Sequence, residues 1–243
     1  MNIPDLPPPH PQVIEITYET KRLSNLLEVK QFHRNDRRSI PQVDEADAGP
    51  QAPSPPAPDR VRTLIAVQPE QFRAARHLVS RRYAWRGYQL SDEHPEEADA
   101  PQGEGRPVTV LAESGARLIA TLTVRPDSPQ GLLAEQTYGE EIGRLRSEGR
   151  RIGELVKLAV EEGADWKAAL DALVQSAYVV TRVIHARTDV VIEVNPRHVR
   201  FYEKVFGFVI AGTQRLCSRV GAPSVLMRLD VEQFGRKLQL SSA

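Results

Sequence analysis

Residues 152–208 hold the segment that most limits what this chain can become. The stretch "IGELVKLAV" (152–160) has the β-branched and apolar content of a strand. In "ADWKAALDALVQSAYVVTRVIHAR" (164–187), Trp166, Leu170, Leu173, Ala177, Val180 and Ile184 recur at steps of four and three. That spacing is one apolar stripe along a long helix, with Asp165 as its N-cap. "DVVIEV" (189–194) is then apolar on both faces, as expected of a central parallel strand. A strand, a crossover helix and a parallel strand in one run oblige the chain to build a sheet with helices packed on it.

The flanking segments fit around that unit. Asn195 and Pro196 open a further short helix, with Phe201 and Val205 on its inner face and Gly207 as its stop. Two strands, at 208–216 and 223–230, are expected to end the domain. Upstream, "VRTLIAV" (61–67) reads as a strand. In "PEQFRAARHLVSRRYAW" (69–85), Phe72, Ala75, Leu78, Val79 and Tyr83 share one helical face. "VTVLAES" (108–114) and "ARLIATLTVRP" (116–126) form a hairpin about Gly115, and a loop and amphipathic helix occupy 128–150. The fold class predicted is α/β, a mixed central sheet flanked by helices.

Residues 1–59 read differently. "PDLPPPHP" and "DEADAGPQAPSPPAPD" are too poor in large apolar groups to offset the entropy of ordering, so a flexible proline-rich tail and linker are expected there. Between them lies enough for one short strand and one weak helix. The acidic stretch at 92–107 reads as a loop. The domain itself is expected over 60–235.

Composition excludes several function classes. With 32 basic and 32 acidic residues, the net charge of +0 offers no global attraction to nucleic acid. No apolar run is long enough to cross a bilayer. The single cysteine, Cys217, excludes an intramolecular disulfide framework, and the six scattered histidines form no HxxxH or HExxH pair, so no metal site is expected. The opening "MNIPDLPPPHPQ" lacks a basic stretch followed by an apolar one, and together with the lone thiol this predicts a cytoplasmic protein.

"NPRHVRFYEKVFGF" (195–208) is similar to the closing strand–helix–strand of the GNAT acyltransferase superfamily, where an asparagine ends the fifth strand and a tyrosine precedes a "GF" turn. "LIATLTVRPDSPQGLLAEQTYGEEIGRLRSEGRRIGELVKLAV" (118–160) more specifically resembles the N-acyl amino acid synthases of soil DNA clones, distant relatives of acyl-homoserine-lactone synthases. The matching elements are Arg125 at the end of the third strand and "ELVKLAV" as the fourth. The resemblance spans 60–230; residues 1–59 match nothing comparable. It implies transfer of a medium- or long-chain acyl group from acyl carrier protein, or from acyl-coenzyme A, to the amine of an amino acid. It implies no permanently bound cofactor, the donor being an acyl-phosphopantetheine thioester. GNAT enzymes grip the coenzyme A pyrophosphate with backbone N–H groups at the N-terminus of the long helix, and need glycines to do so. This chain has only Gly163 there. A donor borne on a carrier protein has no adenosine diphosphate to hold.

Acyl transfer from a thioester to an amine needs a neutral amine, a stabilised oxyanion and a protonated leaving thiolate. Glu154, a carboxylate in an apolar strand, is the candidate for the ammonium proton, against a solvated edge glutamate. Tyr202 matches the GNAT tyrosine that protonates the thiolate, against a ring merely packed on the sheet. Arg125 is matched to the acceptor carboxylate, against a solvated strand end. Lys157 is three residues from Glu154 and would face the opposite side of a flat strand; a β-bulge, usual in the GNAT fourth strand, re-aims one of the two. Trp85 matches an aromatic lining the acyl or acceptor pocket. Asn195 and Arg197 complete the expected substrate-binding set, Arg197 through positive charge in a first helical turn, where it opposes the helix dipole and suits a phosphate or partner. His198 beside it is read as a surface histidine. The arginines at 81, 82, 86, 144, 146, 150 and 151 offer docking for an acidic carrier protein, or simply solvated faces. Two other functions fit the same residues: a coenzyme A-dependent acetyltransferase with a degenerate loop, and a non-catalytic module binding an acyl chain or carrier protein.

Overall fold

A computed structural model of the chain describes residues 15–16, 61–88 and 105–240. The expectations for the rest of 1–60 and for the loop at 92–104 lie outside the described residues. Eight strands form one sheet in the order β1-β2-β3-β4-β5-β6-β8-β7. They are β1 (Glu15–Ile16), β2 (Val61–Ile65), β3 (Val108–Ser114), β4 (Arg117–Pro126), β5 (Ile152–Val160), β6 (Asp189–Val194), β7 (Val209–Cys217) and β8 (Ala222–Asp230). Every neighbouring pair is antiparallel except β5 and β6. The short β1 comes from the proline-rich region and pairs with β2 through Glu15 opposite Leu64 and Ile16 opposite Thr63.

Helices cover both faces. On one lie α1 (Pro69–Ala84) and α2 (Glu135–Ser147), and α1 buries Ala75, Leu78 and Val79 as its spacing predicts. Tyr138, Ile142 and Leu145 of α2 pack on Ile152, Val191 and Leu226. On the other face lies the crossover helix α3 (Trp166–Val179), whose Ala169, Leu173 and Ala177 pack on β2, β3 and β4. Asp165 caps it, accepting from the N–H groups of Lys167 and Ala168, both at 3.1 Å. A 3-10 turn (Pro196–His198) leads into α4 (Val199–Val205), and Gly207 at φ +83° ends it.

Three expectations need correction. Trp166 and Ile184 do not belong to the buried stripe of α3: they are 47% and 48% exposed. Trp166 sits on the first turn, where its ring meets Phe201 at a tilt and the Lys167 ammonium lies 5.9 Å from its centre. At the other end the helix widens into a π-helical turn, Val180–Ile184, which carries Ile184 off the stripe. The chain also does not end on two strands. A further helix, α5 (Val231–Leu240), follows β8 and buries Phe234 against Phe206 and Tyr178. Its Val231, Phe234 and Leu238 fall at steps of three and four, an apolar stripe that marks a helix despite the mid-helix glycine.

Because Asp165 satisfies two N–H groups that α3 cannot bond internally, Asp165→Ala should destabilise the protein by about 1 kcal/mol. Urea unfolding of the two proteins checks this; equal midpoints and slopes would show that the cap contributes nothing.

Candidate active site

The parallel pairing of β5 with β6 stops after three rungs, the last being Glu154 opposite Val191. Beyond it β5 stays with β4 alone. Between β4 and β5 the register shifts, so that Val156 faces Thr123 and Ala159 faces Thr121, leaving Lys157 and Leu158 to share one partner. Lys157 carries the bulge at φ +56°. A bulge bends its strand and raises the local twist, turning the rest of β5 away from β6. The opened wedge is a cleft of about 1600 Å³, larger than the roughly 300–1,000 Å³ of ordinary small-molecule sites. Leu155, Leu158, Val174, Ile192, Val194 and Phe206 give it apolar walls.

Glu154 sits at the apex of the wedge, 1% exposed. Its carboxylate accepts from the N–H of Leu133 at 2.8 Å and of Ala134 at 3.0 Å, at the entry to α2. Burial pushes its pKa up to about 7, against the opposing pull of Arg219, the two N–H groups and Arg125. Tyr202 of α4 lines the cleft from the α3 side, with its ring edge-on to Phe201 and Phe208. Burial pushes its pKa up to about 12, so its phenol keeps its proton and can donate it. Tyr83 of α1 is likewise raised to about 12, by burial and then by Tyr202.

The other residues singled out in the sequence fall in three places. Lys157 lines the cleft, re-aimed by the bulge. Trp85, Asn195 and His198 stand at its mouth. Trp85 is 69% exposed, with the Arg82 guanidinium 5.1 Å from its ring centre. Asn195 caps the following turn, accepting from Arg197 N–H and donating to the Tyr88 hydroxyl at 3.3 Å. Arg197 and Arg86 both reach His198 Nε2, at 3.1 and 3.3 Å. Burial and these two cations depress the His198 pKa, so the ring is a neutral acceptor. Arg125, by contrast, is 5% exposed, reaches the carbonyl of Gly131, and is not part of the cleft wall. Its strand register sets it beside Glu154, behind the wedge rather than in it.

Most of the expected docking arginines have internal partners. Arg81 and Arg82 pair with Glu161 and Glu162, Arg146 with Asp127 and Glu135, and Arg150 with Asp189 and Asp230. Arg86 and Arg197 pair with no carboxylate among the described residues. The loop from β5 to α3 therefore holds three carboxylates, those of Glu161, Glu162 and Asp165.

Sequence reasoning missed Glu193, Arg219 and Ser224, which line the cleft on the β6 arm. Glu193 is a carboxylate inside the apolar run "VVIEV" (190–194), the same signal that marked Glu154. Among the described residues no group of three or more His, Cys, Asp or Glu is placed to hold a metal ion, and no helix is long and apolar enough to cross a membrane.

A carboxyl with a pKa near 7 has a direct signature. In a ¹³C NMR titration of labelled glutamates, one resonance absent from Glu154→Gln should titrate with a midpoint near pH 7. Midpoints all below 5 would mean that Glu154 is more solvated than its burial implies.

The sequence profile of the family described as N-acyl amino acid synthase FeeM matches residues 74–230. No curated protein matches the chain in sequence. Among solved structures, FeeM, an N-acyl amino acid synthase from uncultured soil microbes, superposes with a TM-score of 0.66 at 24% identity, covering 76% of this chain and 98% of that one. An acyl-CoA N-acyltransferase from Pseudomonas aeruginosa superposes at 0.50 with 14% identity, covering 69% and 98%. Mutant forms of the spermidine/spermine N-acetyltransferase SpeG from Vibrio cholerae superpose at 0.50 with 12% identity, covering 73% and 98%. The fold is thus GNAT-like, and the chain belongs to the FeeM N-acyl amino acid synthase family, an N-acyltransferase.

Proposed function

We propose that the protein joins a medium- or long-chain acyl group, delivered on acyl carrier protein, to the amine of an amino acid. The observation that carries this reading is the contrast between the two ends of the cleft. Its interior is large and apolar, suited to an acyl chain and a pantetheine arm. The α3 N-terminus, where a coenzyme A pyrophosphate would lie, is occupied by Glu161, Glu162 and the capping Asp165. Asp165 takes the Lys167 and Ala168 N–H groups that would hold a pyrophosphate, and Glu161 and Glu162 neutralise Arg81 and Arg82, so little is left at this helix N-terminus to attract an anion. The uncompensated cations stand instead at the mouth, where Arg86 and Arg197 converge on the neutral His198. An acidic carrier protein and the single phosphate of its prosthetic arm suit that cluster.

In this reading the thioester lies in the wedge between Glu154 and Tyr202. Glu154 takes one proton from the acceptor ammonium. The free amine attacks the thioester carbonyl, a C–N bond forms, and the C–S bond breaks as the tetrahedral intermediate collapses. Tyr202 gives its proton to the departing thiolate, and the second proton lost by nitrogen restores the phenol. Lys157, Trp85 and Asn195 line the path of the donor, and Arg197 holds its phosphate. Cys217 is not a candidate for a covalent acyl intermediate, because burial pushes its thiol pKa up and the thiolate is the nucleophilic form.

The test is thiol release from long-chain acyl-carrier-protein and acyl-coenzyme A donors with a pool of amino acids, with products read by mass spectrometry. An N-acyl amino acid formed faster from the carrier-protein donor is expected. Release only from acetyl-coenzyme A would make the protein an ordinary acetyltransferase, and bound lipid without release a binding module. A second test concerns the base. Glu154 works only when deprotonated, so kcat/KM should rise with pH through a midpoint near 7. Glu154→Gln should lower kcat by about 100-fold and abolish that limb. Glutamine keeps one acceptor oxygen, enough for Leu133 or Ala134 but not both, so circular dichroism is needed to separate lost chemistry from lost folding. An unchanged limb would remove Glu154 from proton transfer.

A further inference from the structure

Glu193 lies on β6 two residues beyond Val191, the last residue paired to β5. Alternation along a strand sets it on the same face as Val191, and so on the same side as Glu154, roughly 7 Å further along the open arm. It is bound on two sides. Ser224 Oγ donates to Glu193 Oε1 at 2.7 Å, and Arg219 Nη2 donates to Oε2. Ser224 is itself held by Tyr138 of α2, whose hydroxyl donates to the Ser224 carbonyl at 2.8 Å. Arg219 stands on the turn joining β7 to β8, its side chain 17% exposed and that of Glu193 7%. Both line the cleft.

A buried ion pair is costly to desolvate, and a hydrophobic pair of similar volume is often at least as stable. Here the pair is also incomplete. Glu193 engages only Nη2 of the guanidinium, and among the described residues the buried Arg219 Nε has no hydrogen-bond partner. Arg219 is therefore a cation fixed in the cleft wall with donors to spare. It also lies close enough to Glu154 to be the largest influence opposing the burial-driven rise of that carboxyl. A cation flanked by two carboxylates along a few ångströms of wall matches a small zwitterion, whose ammonium and carboxylate are separated by two bonds through one carbon.

We propose that Arg219, oriented by Glu193, binds the carboxylate of the amino-acid acceptor, with the acceptor's ammonium directed at Glu154. This rests on the reading of the protein as an N-acyl amino acid synthase, and transfers to Arg219 the role that the family resemblance suggested for Arg125. Arg125 is buried behind the wedge, whereas Arg219 is on the cleft wall. A guanidinium recognises carboxylate through a planar fork that no neutral side chain reproduces. Arg219 would thereby set the preference for amino acids over simple amines.

The experiment compares three acceptors with the full-length protein: the best amino acid found, its carboxamide and its decarboxylated amine. Wild type should favour the amino acid by about 100-fold in kcat/KM, since removing the charged partner leaves the buried guanidinium unsatisfied. Arg219→Gln should raise KM for the amino acid by a similar factor and so abolish the preference, which is read as the ratio between acceptors because loss of the Arg219 charge also raises the Glu154 pKa and slows every acceptor near neutral pH. Arg219→Lys keeps the charge and should restore part of it. Equal losses for all three acceptors in both variants, with the fold intact by circular dichroism, would overturn the subsite and leave the pair a structural one. Should Arg219→Gln fail to fold, the Lys variant decides by the same ratio: a preference equal to wild type would overturn the proposal. Failure of wild type to acylate any amine would instead overturn the acyltransfer reading itself, an outcome distinct from loss of the acceptor preference.

Discussion

The whole site depends on where β5 and β6 part. Three parallel rungs hold them, and the bulge at Lys157 then turns β5 away. Had the pairing continued, the wedge would be closed by backbone hydrogen bonds and the chain would have a continuous sheet with nothing to bind. Parting two central strands leaves donors and acceptors on both inner edges without sheet partners, and such groups must be satisfied by other means. The pantetheine arm of the proposed donor carries amides that can do so.

Glu154 marks the place where that opening begins and ties it to α2. A helix starts with N–H groups that have no internal partner, and the carboxylate of β5 supplies acceptors for two N–H groups at the α2 entry. Those donors, with Arg219, hold its pKa near 7 rather than far above it, although burial dominates. The same side chain thus anchors a helix and remains able to exchange a proton near neutral pH, since two hydrogen bonds leave lone pairs of the carboxylate available. On the opposite side of the wedge Tyr202 is held in a cage of aromatic rings that keeps its phenol protonated. Burial raises both groups, and the N–H donors and Arg219 hold the carboxyl back, so that a carboxyl near neutrality and a protonated phenol face each other across one gap.

Charge is arranged with similar economy. The sequence is dense in arginine yet has no net charge, and many of its arginines are engaged in ion pairs, several of which tie elements together, such as Arg150 with Asp189 and Asp230 at the base of β6 and β8. The guanidiniums that remain distinctive are those at the cleft. Arg86 and Arg197 share a neutral histidine at its mouth, and Arg219 is half engaged inside it. Counting arginines could not separate these from the rest, because the distinction lies in which partners the fold brings within reach.

Local pattern sufficed for the strand and helix of nearly every element between 61 and 230, since side-chain period and caps act over a few residues: Asp165, the Asn195–Pro196 start and the Gly207 stop all lie where the sequence puts them. It also singled out Glu154, because a carboxylate in an apolar strand is anomalous before any contact is known, and Tyr202 through its resemblance to related chains. The packing of the C-terminal helix α5 on Phe206 and Tyr178 was not legible, because those rings lie far back in the sequence, although Val231, Phe234 and Leu238 at steps of three and four mark its apolar face. Nor was the contrast between Arg125 and Arg219. Both are arginines near strand ends, and only the register of β4 on β5 buries the first, while only the β7–β8 turn carries the second to Glu193. Sequence determined which segments are strands and helices and which residue breaks the apolar pattern. Tertiary structure decided which charges meet, because an ion pair between residues 193 and 219 is a property of strand order and not of either residue's neighbours in the chain.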